Sequence, residues 1–483
     1  MFRDKLVFLF LAIFVVQAPA AEVPELSREF RGAWVASVYN LNWPSRSSLS
    51  TGEQQAELRA ILNRAADLHL NAILLQIRPA SDALYSSKIE PWSAFLTGAS
   101  GRAPEPAWDP LEWAVREAHA RGIELHAWFN PFRAAAGSNG ALAPNHVTRT
   151  HAGWVRHYGS TSWIDPGEPA AREYVREVIM DVVRRYDIDG VHIDDYFYPY
   201  PIKGVGSFPD GATYQRYLSG GGKLSVGDWR RDNINQFVET LNRSIHAEKR
   251  WVKFGISPFG IWRPHVPESI VAGVDSYDQL YADSRRWLAQ GWCDYLAPQL
   301  YWPIDPAAQS FPVLLNWWRS QSTAGRHVWP GIATSRVGAK LSAQEIPRQI
   351  GLSREAAAGA PSLTAGHIHW DMKSVQRNQG GVATLLADKS YRNVAVVPAC
   401  PWLGREVPAA PKVDVQGKTV RWHSVGPDPS RWWSVQTRTK GDWSVRVVPD
   451  SVTSLPAAEV ADEVAIRAID RFGNASLPTV QPL

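Results

Sequence analysis

Asp194 and Asp195 are adjacent carboxylates. They close an apolar run, Gly190-Val191-His192-Ile193, and the aromatic run Tyr196-Phe197-Tyr198-Pro199 follows at once. Gly190, Val191 and Ile193 are small or β-branched, as in a buried strand. Two neighbouring anions repel, and burying either costs free energy unless it is paired or protonated. A strand kept only for structure has no use for that arrangement. A site that holds one carboxyl ionised and its neighbour protonated does. Cleavage of a glycosidic bond asks for such a pair: one group protonates the leaving oxygen, and a second stabilises or captures the oxocarbenium-like centre.

Side chains alternate along a strand, so His192 and Asp194 share the inward side and Asp195 lies just past the strand end. Elsewhere Asp371 ends a strand and competes for the role of partner acid. Arg78, Asn130, Ser257, Gln299 and Thr334 end five more, with Tyr301 and Trp302 close behind Gln299. The candidate catalytic residues are therefore Asp194, Asp195 and Asp371. The candidate substrate-binding residues are Trp34, Arg78, Trp128, Asn130, His192, Tyr196, Gln299, Tyr301, Trp302 and Trp370. Such a neutral, aromatic, hydrogen-bonding mouth suits a polyhydroxylated substrate, and there is no Gly-rich loop with a lysine to cradle a phosphate. Each residue also has a plainer reading. The tryptophans pack, Arg78 pairs with an acid, His192 is a packed histidine, and Asp371 caps a helix. Asp187 and Asp189 precede the strand and read as structural. His367-Ile368-His369 suggests a zinc deacetylase or amidohydrolase, but the fifth and sixth strands bring no further histidine, and neither metal nor cofactor is expected.

The elements that position these residues alternate. Strands are predicted at 31–38, 71–78, 123–129, 190–194, 252–257, 294–300, 327–333 and 366–370. Helical patterns fall between them, several with clear end signals. Asp109-Pro110 starts one and Gly122 stops it, while Ser342 with Glu345 reads as a capping box. A long loop from about 133 to 165, rich in His, Trp and Tyr, is expected to be functional. Eight strands alternating with helices predict a (β/α)8 TIM barrel over 28–400, with a doubly wound sheet as the alternative. Past Pro408 short alternating strands predict a small β-sandwich over 408–483, similar to a fibronectin type III domain, joined by the Pro408-Ala409-Ala410-Pro411 linker.

The chain has 483 residues, room for one large and one small domain, and a net charge of +4, too weak for nucleic acid. Its 23 tryptophans exceed what a core needs, and flat apolar faces suit pyranose rings. Arg3 and Lys5, the apolar run Leu6 to Val16, and Ala18-Pro19-Ala20 read as an export signal cleaved near Ala20, with no cysteine nearby for a lipid anchor. No later stretch is long enough to span a membrane. The expected protein is exported to the periplasm or cell envelope and acts as a monomer. Of the two cysteines, Cys293 is expected to be a buried thiol.

In combination, several of these motifs resemble the glycosyl hydrolase-like 10 family. They are Arg31-Gly32-Ala33-Trp34-Val35, Arg78-Pro79, Asn130-Pro131, Asp165-Pro166-Gly167-Glu168-Pro169, the central stretch ending His192-Ile193-Asp194-Asp195-Tyr196-Phe197-Tyr198-Pro199, Gly255-Ile256-Ser257-Pro258-Phe259-Gly260, and Pro298-Gln299-Leu300-Tyr301-Trp302. The resemblance covers about 28–400. It implies a bacterial exported barrel that cleaves peptidoglycan glycan strands stripped of their stem peptides. The Asp pair is also similar to that of N-acetylglucosaminidases in which the substrate's acetamido group is the nucleophile, one Asp orienting it and the other donating the proton. A non-catalytic glycan-binding protein is the alternative from a different class.

Overall fold

Unbroken runs of buried residues form the first strands, β1 (Phe30–Val35), β2 (Ala72–Arg78) and β3 (Glu124–Phe129). Burial on both faces is the mark of a parallel sheet covered by helices. The computed structural model describes residues 22–137, 140–358, 365–417, 419–426, 430–456 and 462–483. The export signal expected over 1–20 lies outside them. β4 (Gly190–Ile193), β5 (Lys253–Ile256) and β6 (Tyr295–Leu296) continue the sheet in parallel. β7 comes in two halves, His327–Val328 and Gly331–Ile332, either side of Trp329-Pro330. Proline has no N–H for the ladder, so the strand is interrupted there. The first half pairs with β6 and the second with β8 (Gly366–His369), which pairs in turn with β1. The sheet thus closes on itself as a (β/α)8 barrel, as the alternation predicts.

The helices between the strands include α1 (Thr51–Asp67), α2 (Pro110–His119), α3 (Pro169–Arg185), α4 (Val226–Glu248), α5 (Ser284–Ala289), α6 (Phe311–Ser320), α7 (Glu345–Ala358) and α8 (Met372–Gln376). Asp109 caps α2 with Pro110 in its first turn, as its sequence signals. α7 starts at Glu345 rather than at Ser342. The Glu345 carboxylate accepts from the Ile304 amide and the Gln349 side chain instead of closing a capping box. The segment expected as a loop over 133–165 holds a three-stranded antiparallel sheet, Arg133–Ala135, Val155–Tyr158 and Thr161–Ile164. Gly159, at φ 60, makes the tight turn between the last two.

Large rings opposite glycines fill the barrel interior. A Cβ on Gly255 would meet the Tyr295 ring at 1.9 Å, and one on Gly366 would meet Trp329 at 2.3 Å. Small residues on some strands thus make room for aromatic rings from others. Beyond the barrel lie a three-stranded sheet (Lys412–Gln416, Thr419–His423, Ser454–Pro456) and a four-stranded one (Trp432–Thr439, Asp442–Pro449, Glu463–Ile469, Thr479–Pro482). Val413, Val420 and Trp422 from one pack against Trp433, Val435, Val464 and Ile466 from the other, the core of a small sandwich. It docks at the foot of the barrel, where Arg431 and Arg471 reach Asp187 just before β4. No described helix is long and apolar enough to cross a membrane.

Candidate active site

Asp194 is the first residue past β4 and points into the barrel mouth. Its Oδ2 accepts from Trp128 Nε1 at 3.1 Å and from the Asn130 side-chain amide, and its Oδ1 from the Tyr196 backbone N–H at 3.4 Å. The Asn130 amide has only one workable orientation. Arg133 Nη1 hydrogen-bonds Asn130 Oδ1, and a guanidinium can only donate, so the Asn130 NH2 must face Asp194. Asp195 Oδ2 accepts from the Tyr200 hydroxyl. The Gln299 side chain adds a donor to Asp195, and its Nε2 also donates to the Ser257 carbonyl at 3.0 Å.

Both carboxyls are 4% exposed. Burial pushes Asp194 up, the neighbouring charge of Asp195 pushes it further, and it reaches about 7 against Arg133 and its hydrogen bonds. Burial also raises Asp195, opposed by Tyr200 and Gln299. Among the described residues no cation touches either carboxylate. The nearest, Arg133, is held by Asn130 Oδ1 and by the Pro79 carbonyl at 3.4 Å, and lies 4.3 Å over the Tyr196 ring. The pair therefore titrates as a unit and shares one proton up to about neutral pH. A coupled acid and base in a water-poor cleft can protonate a leaving oxygen and deprotonate an incoming water.

Beneath the pair runs a buried polar column. Trp34 Nε1 donates to His192 Nε2 at 3.1 Å, and His192 Nδ1 lies 3.0 Å from the Tyr295 hydroxyl. That hydroxyl lies 2.8 Å from His126 Nδ1, and His126 Nε2 lies 3.1 Å from Glu124, which also holds Lys253 at 2.8 Å. Indole N–H only donates, so His192 Nε2 is bare and its proton sits on Nδ1. Tyr295 then accepts from His192 and turns its single hydrogen to His126, whose remaining proton faces Glu124. Each tautomer is assigned by this network. Burial and His126 hold His192 well below the ordinary histidine range, consistent with a neutral ring.

The expected site residues divide into two groups. Asp194, Asp195, Trp128, Asn130, Tyr196 and Gln299 come together at the mouth. Tyr301, Trp302 and Trp370 are half-buried there, with the Trp370 and Tyr301 rings 6.4 Å apart and near parallel. Trp34 and His192 lie below as floor and are not placed to touch a substrate. Arg78 needs correction. It is fully buried, and its guanidinium is taken up by Glu90 at 2.6 and 2.7 Å, Ser81 and the Asn130 and Pro131 carbonyls, so no donor is left for a ligand. Asp371 needs correction too. Its Oδ1 caps α8 through Ser374 and its Oδ2 accepts from Asn42 at 2.8 Å, so neither oxygen faces an open site.

His367 and His369 point out of the barrel toward Tyr391, and His369 also meets Thr334 at 2.7 Å. Among the described residues no group of three His, Cys, Asp or Glu is placed to hold a metal. Sequence reasoning missed Arg133, placed at the edge of a loop, and Tyr200, which lies just past the aromatic run. The five-residue separation of Asp195 and Tyr200 across Pro199 was the one available signal. Cys293 and Cys400 are both buried free thiols.

The family model described as glycosyl hydrolase-like 10 matches residues 29–347. The chain is 40% identical over 423 residues to glycosyl hydrolase YngK of Bacillus subtilis, covering 84% of this chain and 81% of that protein. It is 37% identical over 342 residues to glycosyl hydrolase DigH of Escherichia coli K12, covering 66% of this chain and 76% of that one. Among solved structures it is similar in fold to the PgaB (BpsB) glycoside hydrolase domain of Bordetella bronchiseptica. The TM-score is 0.51 and the identity 15%, over 76% of this chain and 99% of that one.

Proposed function

The chain belongs to the glycosyl hydrolase-like 10 family and is a glycoside hydrolase, and from that premise we propose that it cleaves peptidoglycan glycan strands whose stem peptides have been removed. The observation that carries the chemistry is the buried Asp194–Asp195 pair, which no cation among the described residues touches. The substrate follows from the activity the family resemblance implies and from a mouth of half-buried aromatics and neutral amides, which fits sugar rings and hydroxyls better than charged peptides.

The electrostatics divide the roles. Burial and the adjacent charge of Asp195 push Asp194 up to about 7, so the shared proton rests on Asp194 and faces the leaving oxygen. The Tyr200 hydroxyl and the Gln299 side chain donate to Asp195 and favour its ionised form. In an N-acetylhexosamine the ionised Asp195 holds the acetamide N–H, and the acetamide oxygen attacks the anomeric carbon. The glycosidic C–O bond breaks as Asp194 gives its proton to the leaving alcohol, and a cyclic oxazolinium forms. Water then adds to the anomeric carbon from the opposite face, returns a proton to Asp194, and regenerates the acetamide. Two inversions give net retention. Asp371 takes no part, because both its oxygens are engaged.

A substrate of this kind lies in the cell envelope, and we place the protein there on the export pattern of residues 1–20. The test is mass spectrometry of amidase-stripped glycan strands after incubation, with NMR of the new reducing end. Shorter oligosaccharides carrying the original anomeric configuration are expected. Strands left intact, while a control lytic enzyme cuts them, would overturn the substrate. An inverted product would overturn the mechanism alone.

A further inference from the structure

Tyr39 stands at the barrel mouth with 61% of its surface exposed, on the turn that leaves β1. Both Tyr39 (φ 54) and Asn40 (φ 51) occupy the left-handed region, where bulky side chains are rare outliers. Such backbone persists only where its surroundings over-determine it, and it concentrates at ligand clamps. The clamps here are explicit. Gln76 Oε1 takes the amides of Ser37 and Val38 at 3.0 Å each. Asn40 Nδ2 donates to the carbonyls of Pro44 (2.9 Å) and Phe95 (2.8 Å). Asn42 receives the Ala36 amide at 2.7 Å and gives its own NH2 to Asp371 at 2.8 Å. Lys373 on α8 donates to the Leu41 carbonyl at 2.7 Å. The Phe95 ring supports Tyr39 edge-on, with centroids 5.7 Å apart. A turn held by so many groups presents to solvent a large ring, most of whose surface is left uncovered by the fold.

We propose that Tyr39 is the stacking platform of an outer sugar subsite, holding a pyranose ring of the glycan beyond the sugar whose bond is cut. The proposal rests on the glycan-hydrolase reading above and extends it from the reacting sugar to its neighbours. A Cβ on Gly137 would lie 3.7 Å from the Tyr39 ring, and the strand just before Gly137 carries Arg133, which lies 4.3 Å over the Tyr196 ring, so the platform and the acid pair share one rim. Trp370, past the end of the neighbouring strand β8, and Tyr301 and Trp302, past the end of β6, are half-buried at the same mouth. A chain lying along this rim would meet both the exposed ring and the half-buried cluster. The role also explains Asp371: its carboxylate holds Asn42, and through it the turn that carries Tyr39.

A platform away from the reacting bond binds ground state and transition state alike, so its loss raises KM and leaves kcat in place. Steady-state kinetics of wild type, Tyr39→Ala, Tyr39→Phe and Tyr39→Trp on long peptide-free strands and on chitobiose-length aryl glycosides test this. For Tyr39→Ala, KM on long strands should rise about tenfold, with kcat within about twofold and short substrates unaffected. Tyr39→Phe and Tyr39→Trp, which keep the ring, should stay near wild type. Equal KM for Tyr39→Ala and wild type on long strands overturns the platform, as does a loss confined to kcat. If wild type cleaves neither substrate, the glycan-hydrolase substrate reading fails. Isothermal titration with chitohexaose then decides the platform: weaker binding by Tyr39→Ala alone supports it, and unchanged or absent binding overturns it.

Discussion

β4 carries an aspartate at each end, and the two behave oppositely. Asp189, at the foot, is 6% exposed, and Asp194, at the mouth, is 4% exposed. Burial pushes both carboxyls up. At the foot, the charges of His119 and Arg431 and the Leu125 amide outweigh it and hold Asp189 far below the ordinary range. Those partners lie at 2.8, 3.0 and 2.8 Å. At the mouth, the donors touching Asp194 are neutral, the near cation is turned onto Asn130, and a second carboxylate sits alongside. Equal burial thus gives one locked anion and one carboxyl poised near 7. The difference lies in which charges are in contact. The foot is built to stay ionised and to fasten the sandwich to the barrel, whereas the mouth is built to exchange a proton.

The strongest way to break this contrast is to remove each charge in turn. Asp194→Asn and Asp195→Asn should each lower turnover on glycan strands by about 10²- to 10⁴-fold. Asp189→Asn should leave turnover per folded molecule near wild type. Comparable activity in all three variants, by reducing-end assay corrected for folded fraction, would show that the mouth pair is not the reacting group.

The stability experiment runs the other way. Asp189→Asn removes the buried anion of Arg431, which keeps only the half-exposed Asp187, and should cost about 3 kcal/mol in urea unfolding at pH 7.5. Asp194→Asn replaces a group whose ionised form the fold disfavours, and should be neutral or stabilising at that pH. A larger loss for Asp194→Asn than for Asp189→Asn would reverse the assignment of the two ends.

Much of this was legible in the chain. The strand–helix alternation, the Asp109-Pro110 helix start and the inward parity of His192 and Asp194 follow from local periodicity and capping. The split of β7 at Pro330 and the hairpin across Gly159 are read only with the partner strands in view. Asp371 shows the limit at the site. A strand-ending aspartate before a short helix is the same letter whether it caps or catalyses, and the decision lies with Asn42, 329 positions away. Arg78 was ambiguous in the same way until Glu90 came to meet it.

The pH dependence of stability sharpens the contrast. The folded Asp189 titrates below its unfolded value, so its contribution is present above about pH 4 and is lost as pH falls toward the folded value. The folded Asp194 titrates near 7, above its unfolded value. Between about pH 4 and 7 the folded state therefore binds more protons at this site, and stability declines as pH rises, by up to about 1.4 kcal/mol per pH unit. The wild-type unfolding free energy minus that of Asp194→Asn should fall across this window. The corresponding difference for Asp189→Asn should be flat there and change only at lower pH. A flat Asp194 difference would mean that the carboxyl titrates normally in the folded protein.

The smallest expected effect concerns the hydroxyl that holds Asp195. Tyr200 donates to Oδ2 and favours the ionised carboxylate, opposing the rise caused by burial. Removing the donor in Tyr200→Phe should raise the titration of the pair and move the alkaline limb of kcat upward by roughly half a pH unit, the equivalent of one modest hydrogen bond. A packing role alone would lower kcat at every pH without moving the limb. A downward shift would mean that the hydroxyl accepts a proton from Asp195 instead of donating one. The direction of the limb therefore reads the orientation of a hydrogen that no heavy-atom distance fixes. It also tests whether the acid pair at the mouth is tuned by neutral donors, in contrast to the cation-locked aspartate at the foot.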